Sequence, residues 1–541
     1  MFNISKFIRL IFTLASILGL SSCASYHDAK SIEPYRYELS DTSHLPVNQG
    51  IKTNPCQAIN KHVIAINRRG EFKPIQFEYG SLCSHKPELD VNKHLDTIIE
   101  SFQKSGKKRL MLFIHGGMNK YASSIGRLDR DINKILKERP EDYPLFISWP
   151  SEPLDSYGDS INNSYQGTWD NDAYTYTAPF KFATDVAEIG VRSLLSYGKQ
   201  GSLWLNSRCL SEYWAQHTPY CPQYSNDTVP SQDLNPTHDP CQDKSYLPDK
   251  YHCVPSDADT AKNFDFTLSR FKNLIFIPLK LASIPVIDSL GNRDWNSQIS
   301  RVRFAFHKPC QDDFWGKGSC EDGVIKVFFE KLNHALPSFN RAAEITIIGH
   351  SMGTILASEI IGTFPDLPYR NIVFIGAAVS IREFQDTVFA SLTRRYRNAD
   401  SDKTFVCNKN TVDSPAITAS STKPFCFFNL SLHPYAEATE ENLLGAAPSG
   451  SLLEWIDANF ENPANITDRT LGRWGNIAPL RAFFDQSRDN NAAKELIGRY
   501  IIFKRFGLDA DSPHTHGSLT NPEDCNSKTT CGFYWRPEYW L

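Results

Sequence analysis

The chain contains 541 residues, with 57 basic and 61 acidic side chains and a formal net charge of −4. Hydrophobic residues make up 41% and charged residues 22%, which is typical of globular proteins and excludes a mainly disordered or collagen-like chain. The nearly neutral balance also argues against a nucleic-acid-binding protein, which usually carries a basic excess.

The N-terminal segment is typical of an export signal. Two basic residues precede an apolar run, Leu10 to Leu20, that is too short to span a bilayer. The run leads into Leu20-Ser21-Ser22-Cys23, which resembles the end of a bacterial lipoprotein signal covering residues 1–22. The resemblance implies acylation of Cys23 and cleavage before it. With Ala24 next, it also implies a lipid-anchored protein of the cell envelope, at the outer membrane. Residues 23–60 are polar and are expected to form a tether.

The cysteines predict an oxidising compartment. The chain has 13 of them, and acylation of Cys23 would account for the odd one. The other cysteines contain no C-x-x-C spacing, which argues against a zinc ribbon or a thioredoxin-type site. They predict six disulfides whose connectivity the sequence leaves open. The neighbours at close spacing are Cys56 and Cys83, Cys209 and Cys221, Cys241 and Cys253, Cys310 and Cys320, Cys407 and Cys426, and Cys525 and Cys531.

From residue 61 onward the chain alternates strands and helices. Continuous apolar strands between amphipathic helices indicate an α/β fold with a mostly parallel sheet covered on both faces. The first two strands are predicted to form a hairpin around the turn at Arg68-Arg69-Gly70. The elements up to residue 150 are strands His62–Asn67 and Phe72–Tyr79, helix Leu95–Phe102, strand Arg109–His115, helix Ile125–Leu136 and strand Leu145–Trp149.

The alternation stops between residues 151 and 320. This interval is too long for bare loop in a compact domain, so it predicts an inserted cap rich in disulfides. Residues 61–150 and 321–541 would then form one α/β domain around the cap. The cap is expected to be stapled by Cys209, Cys221, Cys241 and Cys253, with helices near Phe180–Ser196 and Phe266–Leu281. Beyond it we predict helix Val324–Leu336 and strands Glu344–Ile348, Ile372–Ala377, Phe425–Leu432 and Tyr500–Arg505.

The most specific motif is Gly349-His350-Ser351-Met352-Gly353. It follows an apolar strand and opens a helix, Thr354–Ile361, which is the context of a nucleophile elbow. Glycine at both flanks allows a tight turn that presents a strained, exposed serine. The N-terminus of the following helix favours developing negative charge. The motif predicts Ser351 as a nucleophile and the N–H of Met352 as an oxyanion donor.

A second motif, His115-Gly116-Gly117-Met118-Asn119, ends the strand Arg109–His115. A glycine-rich turn after an upstream strand is where a second oxyanion donor is found in hydrolases with a nucleophile elbow. The chemistry requires two N–H groups about 3 Å from the oxyanion. We expect Gly117, or Met118 beside it, to supply the second donor, and His115 to be structural.

A base and an acid are expected after Ser351 in the chain. The preferred base is His516, because Gly517 allows a sharp turn that presents the imidazole, with His514 as the rival. The acid should follow the strand Phe425–Leu432. Glu437 is the first choice and Asp457 the second. The other candidates in these two groups are His433, Glu440, Glu441 and Glu454.

These residues together resemble the α/β-hydrolase superfamily, specifically its bacterial esterase/lipase-like families. In those families an HG loop has a nearby asparagine, and the next strand ends in a run like Ser148-Trp149-Pro150-Ser151. The resemblance covers roughly residues 105–160 and 320–435. It implies catalytic roles for Ser351 and His516. It carries over poorly to the acid, because no S-x-x-D follows the penultimate strand.

The main hypothesis is therefore a lipid-anchored serine hydrolase that cleaves carboxylic esters through an acyl-enzyme. Membrane anchoring and an aromatic cap favour a lipid or acyl-ester substrate. One alternative is an inactive hydrolase fold that acts as an envelope interaction scaffold. Another is an amidase, peptidase or thioesterase with the same triad. No cofactor is expected, and His514-x-His516 lacks nearby ligands at convincing spacing, which favours a metal-free mechanism.

Overall fold

The computed structural model defines the fold for the part of the chain that it describes. These residues are 34–40, 55–80, 83–84, 86–151, 156, 184–185, 291–308, 321–339, 342–398, 406–408, 412, 423–432, 436–437, 440, 450–461, 463–477, 496–497, 499–506, 513–521 and 533–541. The chain divides into two compact units. The first comprises Met1–Leu110, His115–Gly190 and Ser289–Asn340, and the second Met111–Ile114, Val191–Asp288 and Arg341–Leu541.

The first unit contains both strands and helices. Its elements in chain order are β1 (Tyr35–Glu38), α1 (Pro55–Asn60), β2 (Val63–Ala65), β3 (Ile75–Tyr79), β4 (Cys83–Ser84), α2 (Val91–Lys104), the start of β5 (Arg109–Ile114), α3 (Tyr121–Glu138), β6 (Asp142–Ser148), a helix over residues 291–304, which we call α4, and α5 (Val324–Ala335).

Two long helices of this unit each bury one face at helical spacing. Helix α2 begins at a side-chain cap, because the Asp90 carboxylate accepts hydrogen bonds from the N–H groups of Asn92 and Lys93. Helix α3 packs against β6. The buried apolar residues are Leu95, Ile98, Ile99 and Phe102 in α2, and Ile125, Leu128, Ile132 and Ile135 in α3.

The second unit holds the remaining strands. Its elements are the last four residues of β5, then β7 (Glu344–His350), α6 (Gly353–Thr363), β8 (Tyr369–Ile375), α7 (Ile381–Phe384), a π-helical turn (Gln385–Phe389) leading into α8 (Ala390–Asn398), β9 (Cys426–Leu432), α9 (Leu452–Trp455), β10 (Ile501–Phe506) and α10 (Pro537–Trp540). Strands β7, β8 and β9 are buried almost throughout.

Seven strands form one sheet in the order β10-β9-β8-β7-β5-β6-β2. The pairs β2 with β6, β7 with β8, β8 with β9 and β9 with β10 are parallel. The next strands of the chain after β5 lie on its opposite sides, β6 on one and β7 on the other, so the strand order reverses there. In open parallel sheets, ligands bind at the carboxyl ends of strands where the order reverses. The carboxyl end of β7 therefore marks a candidate site.

The mostly parallel α/β sheet predicted from the sequence is confirmed, as are two disulfides. Cys56 pairs with Cys83 in the first unit, and Cys407 pairs with Cys426 in the second. The other cysteines lie outside the described residues. So do the signal segment, Cys23 and almost all of the predicted cap, apart from residues 151, 156, 184–185 and 291–308.

The predicted hairpin is wrong in its pairing. The chain does turn at residues 67–71, and Ile66 and Phe72 form an isolated antiparallel bridge. The flanking strands then separate, because β2 joins the seven-stranded sheet while β3 lies between β1 and β4 in a separate sheet.

Part of the segment expected to be a tether is also folded: β1 pairs in parallel with β3, and Cys56 anchors α1 to Cys83.

Candidate active site

The turn between β7 and α6 holds Ser351 in a left-handed backbone conformation, with φ of 51°. This conformation is uncommon for a residue other than glycine and persists only where the surroundings enforce it. The N–H of Ser351 donates to the carbonyl of Ile375 at 2.8 Å. Gly349 fits this turn closely, since a β-carbon there would lie 3.2 Å from backbone atoms of Gly353 and Thr354.

Two polar groups of this turn have no protein partner in the described part of the chain. The Ser351 hydroxyl is buried without a hydrogen bond. The N–H of Met352 also donates to no described group, whereas those of Thr354 and Ile355 donate to the carbonyls of Ser351 and Met352. Buried polar groups are usually satisfied, so an unpaired hydroxyl beside an unpaired N–H calls for an explanation. A nucleophile next to an oxyanion donor is one arrangement that provides it.

His516 lies at the same end of the sheet as Ser351. Its ring contacts Gly376, which follows the strand residue that accepts the Ser351 N–H. His350, beside Ser351, stacks on His516 with ring centroids 5.1 Å apart, and its Nε2 lies 3.3 Å from the His516 carbonyl oxygen. Of the two predicted bases, His516 is therefore the one that contacts the nucleophile turn, while His514 is exposed.

The imidazole of His516 is buried and uncharged at neutral pH. Burial lowers its pKa to about 4, because the charged form loses hydration. Neither ring nitrogen has a hydrogen-bond partner among the described residues. A neutral imidazole with an available nitrogen can accept a proton, as a general base must. The ring forms no hydrogen bond with the Ser351 hydroxyl, and catalytic hydrogen bonds often form only once substrate is bound.

Both carboxylates predicted as the acid bind the same arginine. Arg473 lies 3.6 Å from Glu437, 3.2 Å from Asp457 and 3.3 Å from Glu454. Asp457 also accepts hydrogen bonds from the Thr470 N–H and the Asn476 amide. Burial raises the pKa of Glu437 and of Glu454, although Arg473 opposes the rise. We call Glu437, Glu454, Asp457 and Arg473 the arginine cluster. Within the described structure, neither predicted acid contacts His516.

The carboxylate that does contact His516 is Glu440, which the sequence did not single out. Its Oε2 accepts a hydrogen bond from the backbone N–H of His516 at 3.0 Å. Burial raises the pKa of Glu440 to about 7. Glu440 was one of several carboxylates after β9, and no local pattern distinguishes it from its neighbours. Its partner is 76 residues away in the chain.

The second predicted motif forms an ordered loop in the first unit. The imidazole of His115 stacks on Trp149, and its Nε2 accepts the Trp149 N–H at 3.0 Å. Its Nδ1 must then carry the proton, which it donates to the carbonyl of Gly116 at 2.6 Å. Both ring nitrogens are thus occupied, and burial lowers the pKa of His115 to about 3. These contacts fit the structural role expected for His115.

The loop after His115 is held by Asn119. Its side-chain amide donates to the carbonyls of Gly116 and Gly117, at 2.9 and 3.0 Å, and its N–H donates to the Ser151 hydroxyl. Because the C=O and N–H of a trans peptide point in opposite directions, the N–H groups of Gly117 and Met118 face away from Asn119. Neither N–H donates to a described protein group. Met118 adopts a left-handed conformation, with φ of 61°.

No group of three or more histidine, cysteine, aspartate or glutamate side chains with metal-binding geometry occurs within the described ranges. Cys23, His433 and Glu441 fall outside those ranges.

Comparison of the chain with protein-family models, with curated proteins and with solved structures finds no match. The interpretation of the site therefore depends on its own geometry.

Proposed function

We propose that this protein is a serine hydrolase that cleaves carboxylic esters through an acyl-enzyme. One observation carries the proposal: Ser351 has a strained, left-handed backbone and an unpaired hydroxyl at the carboxyl end of β7, where α6 begins. Strand, sharp turn and helix in this order are the context in which a serine acts as a nucleophile. The neutral imidazole of His516 at the same end of the sheet supports it.

In the proposed reaction the Ser351 oxygen attacks the carbonyl carbon of the ester while His516 accepts the hydroxyl proton. The resulting oxyanion accepts a hydrogen bond from the Met352 N–H. Gly117 stays a second donor expected from the sequence alone. The tetrahedral intermediate then expels the alcohol, to which His516 returns the proton. Water, deprotonated by His516, attacks the acyl-enzyme. The bond to the Ser351 oxygen then breaks, the carboxylic acid leaves, and His516 returns its proton to the Ser351 oxygen.

The carboxylate that we propose to position His516 comes from the segment after β9, and it contacts the backbone of His516 rather than its ring. In our proposal Glu440 supports His516, because it is the carboxylate in contact with this residue. Glu437 stays a prediction from the sequence, since its described partner is Arg473. The two assignments predict different effects of single substitutions at positions 437 and 440.

A fluorophosphonate probe tests the proposal, because it phosphonylates activated serines. The wild-type protein should be labelled and Ser351→Ala should not. Ser358→Ala is a matched control, since Ser358 is a buried serine of α6 whose hydroxyl is also unpaired among the described residues. Labelling of Ser351→Ala equal to that of the wild type, or an unlabelled wild type, would refute the proposal.

The same labelling experiment distinguishes the proposed hydrolase from an inactive scaffold protein. Burial favours that alternative, since Ser351 and His516 are only 2% and 7% exposed. An inactive fold would leave Ser351 unreactive.

Hydrolysis of p-nitrophenyl esters of increasing chain length, compared with matched amides and thioesters, separates an esterase from an amidase or thioesterase. Preference for long acyl chains would support the proposed lipid or acyl-ester substrate.

We further propose that Cys23 carries the lipid anchor of a cell-envelope protein. Among the described helices, none combines the length and apolar character needed to cross a bilayer. Metabolic labelling with a palmitate analogue tests the anchor: the wild type should incorporate the label, and Cys23→Ser should not. Equal incorporation in both would exclude acylation at Cys23.

A further inference from the structure

The carbonyl oxygen of Ser351 is held by several donors at once. It accepts hydrogen bonds from the Thr354 hydroxyl at 2.6 Å, the Thr354 N–H at 3.0 Å and the Ala378 N–H at 3.2 Å. The Thr354 N–H and hydroxyl belong to the first turn of α6, and Ala378 follows β8. Two separate segments of the chain therefore fix this carbonyl, which belongs to the residue with the strained backbone.

Fixing this carbonyl also fixes the direction of the proposed oxyanion donor. The C=O of Ser351 and the N–H of Met352 belong to one planar trans peptide, so they point in opposite directions. The carbonyl points toward Thr354 and Ala378. The N–H consequently points away from both, on the side where it donates to no described group. Rotation of the peptide plane would turn the donor away from its target.

The Thr354 hydroxyl links the turn to the segment after β8. It donates its proton to the Ser351 carbonyl and accepts the Val379 N–H at 3.2 Å. The side chain is fully buried, so water cannot replace either bond at no cost. The neighbouring Ala378 N–H bonds the same carbonyl directly. The hydroxyl thus completes a bridge between two segments that support Ser351.

We infer that Thr354 is a positioning residue that aims the Met352 N–H at the oxyanion of the reaction. This inference rests on the proposed hydrolase function. Thr354 touches no reacting atom, and it acts through the peptide plane that it holds. Because the oxyanion forms only on the way to the tetrahedral intermediate, loss of the hydroxyl should lower kcat and leave KM nearly unchanged.

The test compares Thr354→Val, which keeps the shape of the side chain without the hydroxyl, with Thr354→Ser, which keeps the hydroxyl. Removing an entire oxyanion donor lowers kcat by about 10²–10³-fold, so misdirecting one should cost about tenfold. We expect Thr354→Val to lower kcat by about tenfold with KM within about twofold, and Thr354→Ser to stay near the wild type. Thr387→Val is the control, because Thr387 donates to the Glu383 carbonyl, away from Ser351.

A boronic acid inhibitor gives a readout that a loss of stability would not produce. Its boron takes up the Ser351 oxygen and becomes tetrahedral, so it reports on the oxyanion site rather than on substrate binding. Thr354→Val should bind it about tenfold more weakly, whereas Thr354→Ser should not. Unchanged kcat and inhibitor binding in a folded Thr354→Val would overturn the inference. So would equal losses in both variants. A wild type that neither hydrolyses esters nor labels would instead refute the proposed function.

Discussion

The imidazole of His516 packs so closely on Gly376 that a β-carbon at position 376 would lie 2.7 Å from its Cε1. Gly376 also has a left-handed backbone, with φ of 52°, which a residue with a side chain rarely adopts. The glycine therefore has two functions at once. It lets the chain turn at the end of β8, and it leaves room for the ring that we propose as the base.

Gly376→Ala should displace His516 and so reduce hydrolysis more than it reduces stability. We expect kcat to fall at least about tenfold, because a misplacement of about 1 Å in catalytic geometry can cost about 10²-fold. Gly475→Ala is the control, since nothing lies within 4 Å of a β-carbon at that position. Ester hydrolysis and thermal unfolding of both variants provide the measurement. Equal activity of the two variants would mean that the position of the ring does not matter.

The acidic limb of the pH profile of kcat/KM should lie at an unusually low pH. His516 must be neutral to accept a proton, and burial lowers its pKa from 6.5 to about 4. The base is thus competent above about pH 4 and is lost as the pH falls through that value, whereas an ordinary histidine would fail near pH 6.5. The measurement is the initial rate at low ester concentration between pH 3.5 and about 8.

Two controls accompany this profile. Activity regained on return to pH 7 excludes acid unfolding as the cause of the limb. Glu440 titrates near pH 7 and contacts the His516 N–H, so Glu440→Gln shows whether it contributes to the profile. An acidic limb near pH 6.5 in the wild type would be evidence against His516 as the buried base.

Single amide variants should separate the two candidate acids. If Glu440 supports His516, Glu440→Gln should lower kcat by about tenfold, since the glutamine oxygen still accepts the backbone N–H of His516 but without a negative charge. Glu440→Ala, which cannot, should lose more. Glu437→Gln should affect activity less than either, because Glu437 pairs with Arg473. The reverse order, with Glu437→Gln the most damaging, would return the acid to the position predicted from the sequence.

Removing Arg473 should strongly destabilise the second unit. Its charge is buried among three carboxylates, and loss of one partner from a buried ion pair typically costs about 3–5 kcal/mol. Arg382, which pairs with Asp468 at the surface, is the matched control, and such pairs contribute about 0–1 kcal/mol. Urea unfolding of Arg473→Gln and Arg382→Gln measures both. Similar midpoints for the two variants would show that the arginine cluster contributes little.

The elements around Ser351 could be predicted because their signals are local. An apolar strand, a glycine-flanked serine and a helix follow one another within 20 residues, and the structure has β7, the turn and α6 in those places. The pairing of β2 and β3 could not be predicted in the same way. A short apolar run shows that a strand is buried, but it does not show which sheet the strand joins.

The support of His516 depends on contacts that sequence spacing does not contain. Glu440 follows β9 and His516 follows β10 in the chain. They meet only because these two strands lie side by side in the sheet. Position in the sequence favours Glu437, which is nearer to the end of β9, but Arg473, 36 positions later, lies against its carboxylate. Side chains that meet across the end of a sheet require the three-dimensional arrangement.

The arginine cluster also has a consequence for calorimetry. Arg473 supplies one positive charge to three buried carboxyl groups, and the raised pKa values of Glu437 and Glu454 mean that these two groups bind protons more tightly in the folded chain than in the unfolded one. In the unfolded chain the pKa values of these groups return to about 4.5, so unfolding at a pH between that value and the raised pKa values releases protons to the buffer. The heat of unfolding should therefore differ between phosphate and Tris by an amount set by the ionisation enthalpies of the two buffers.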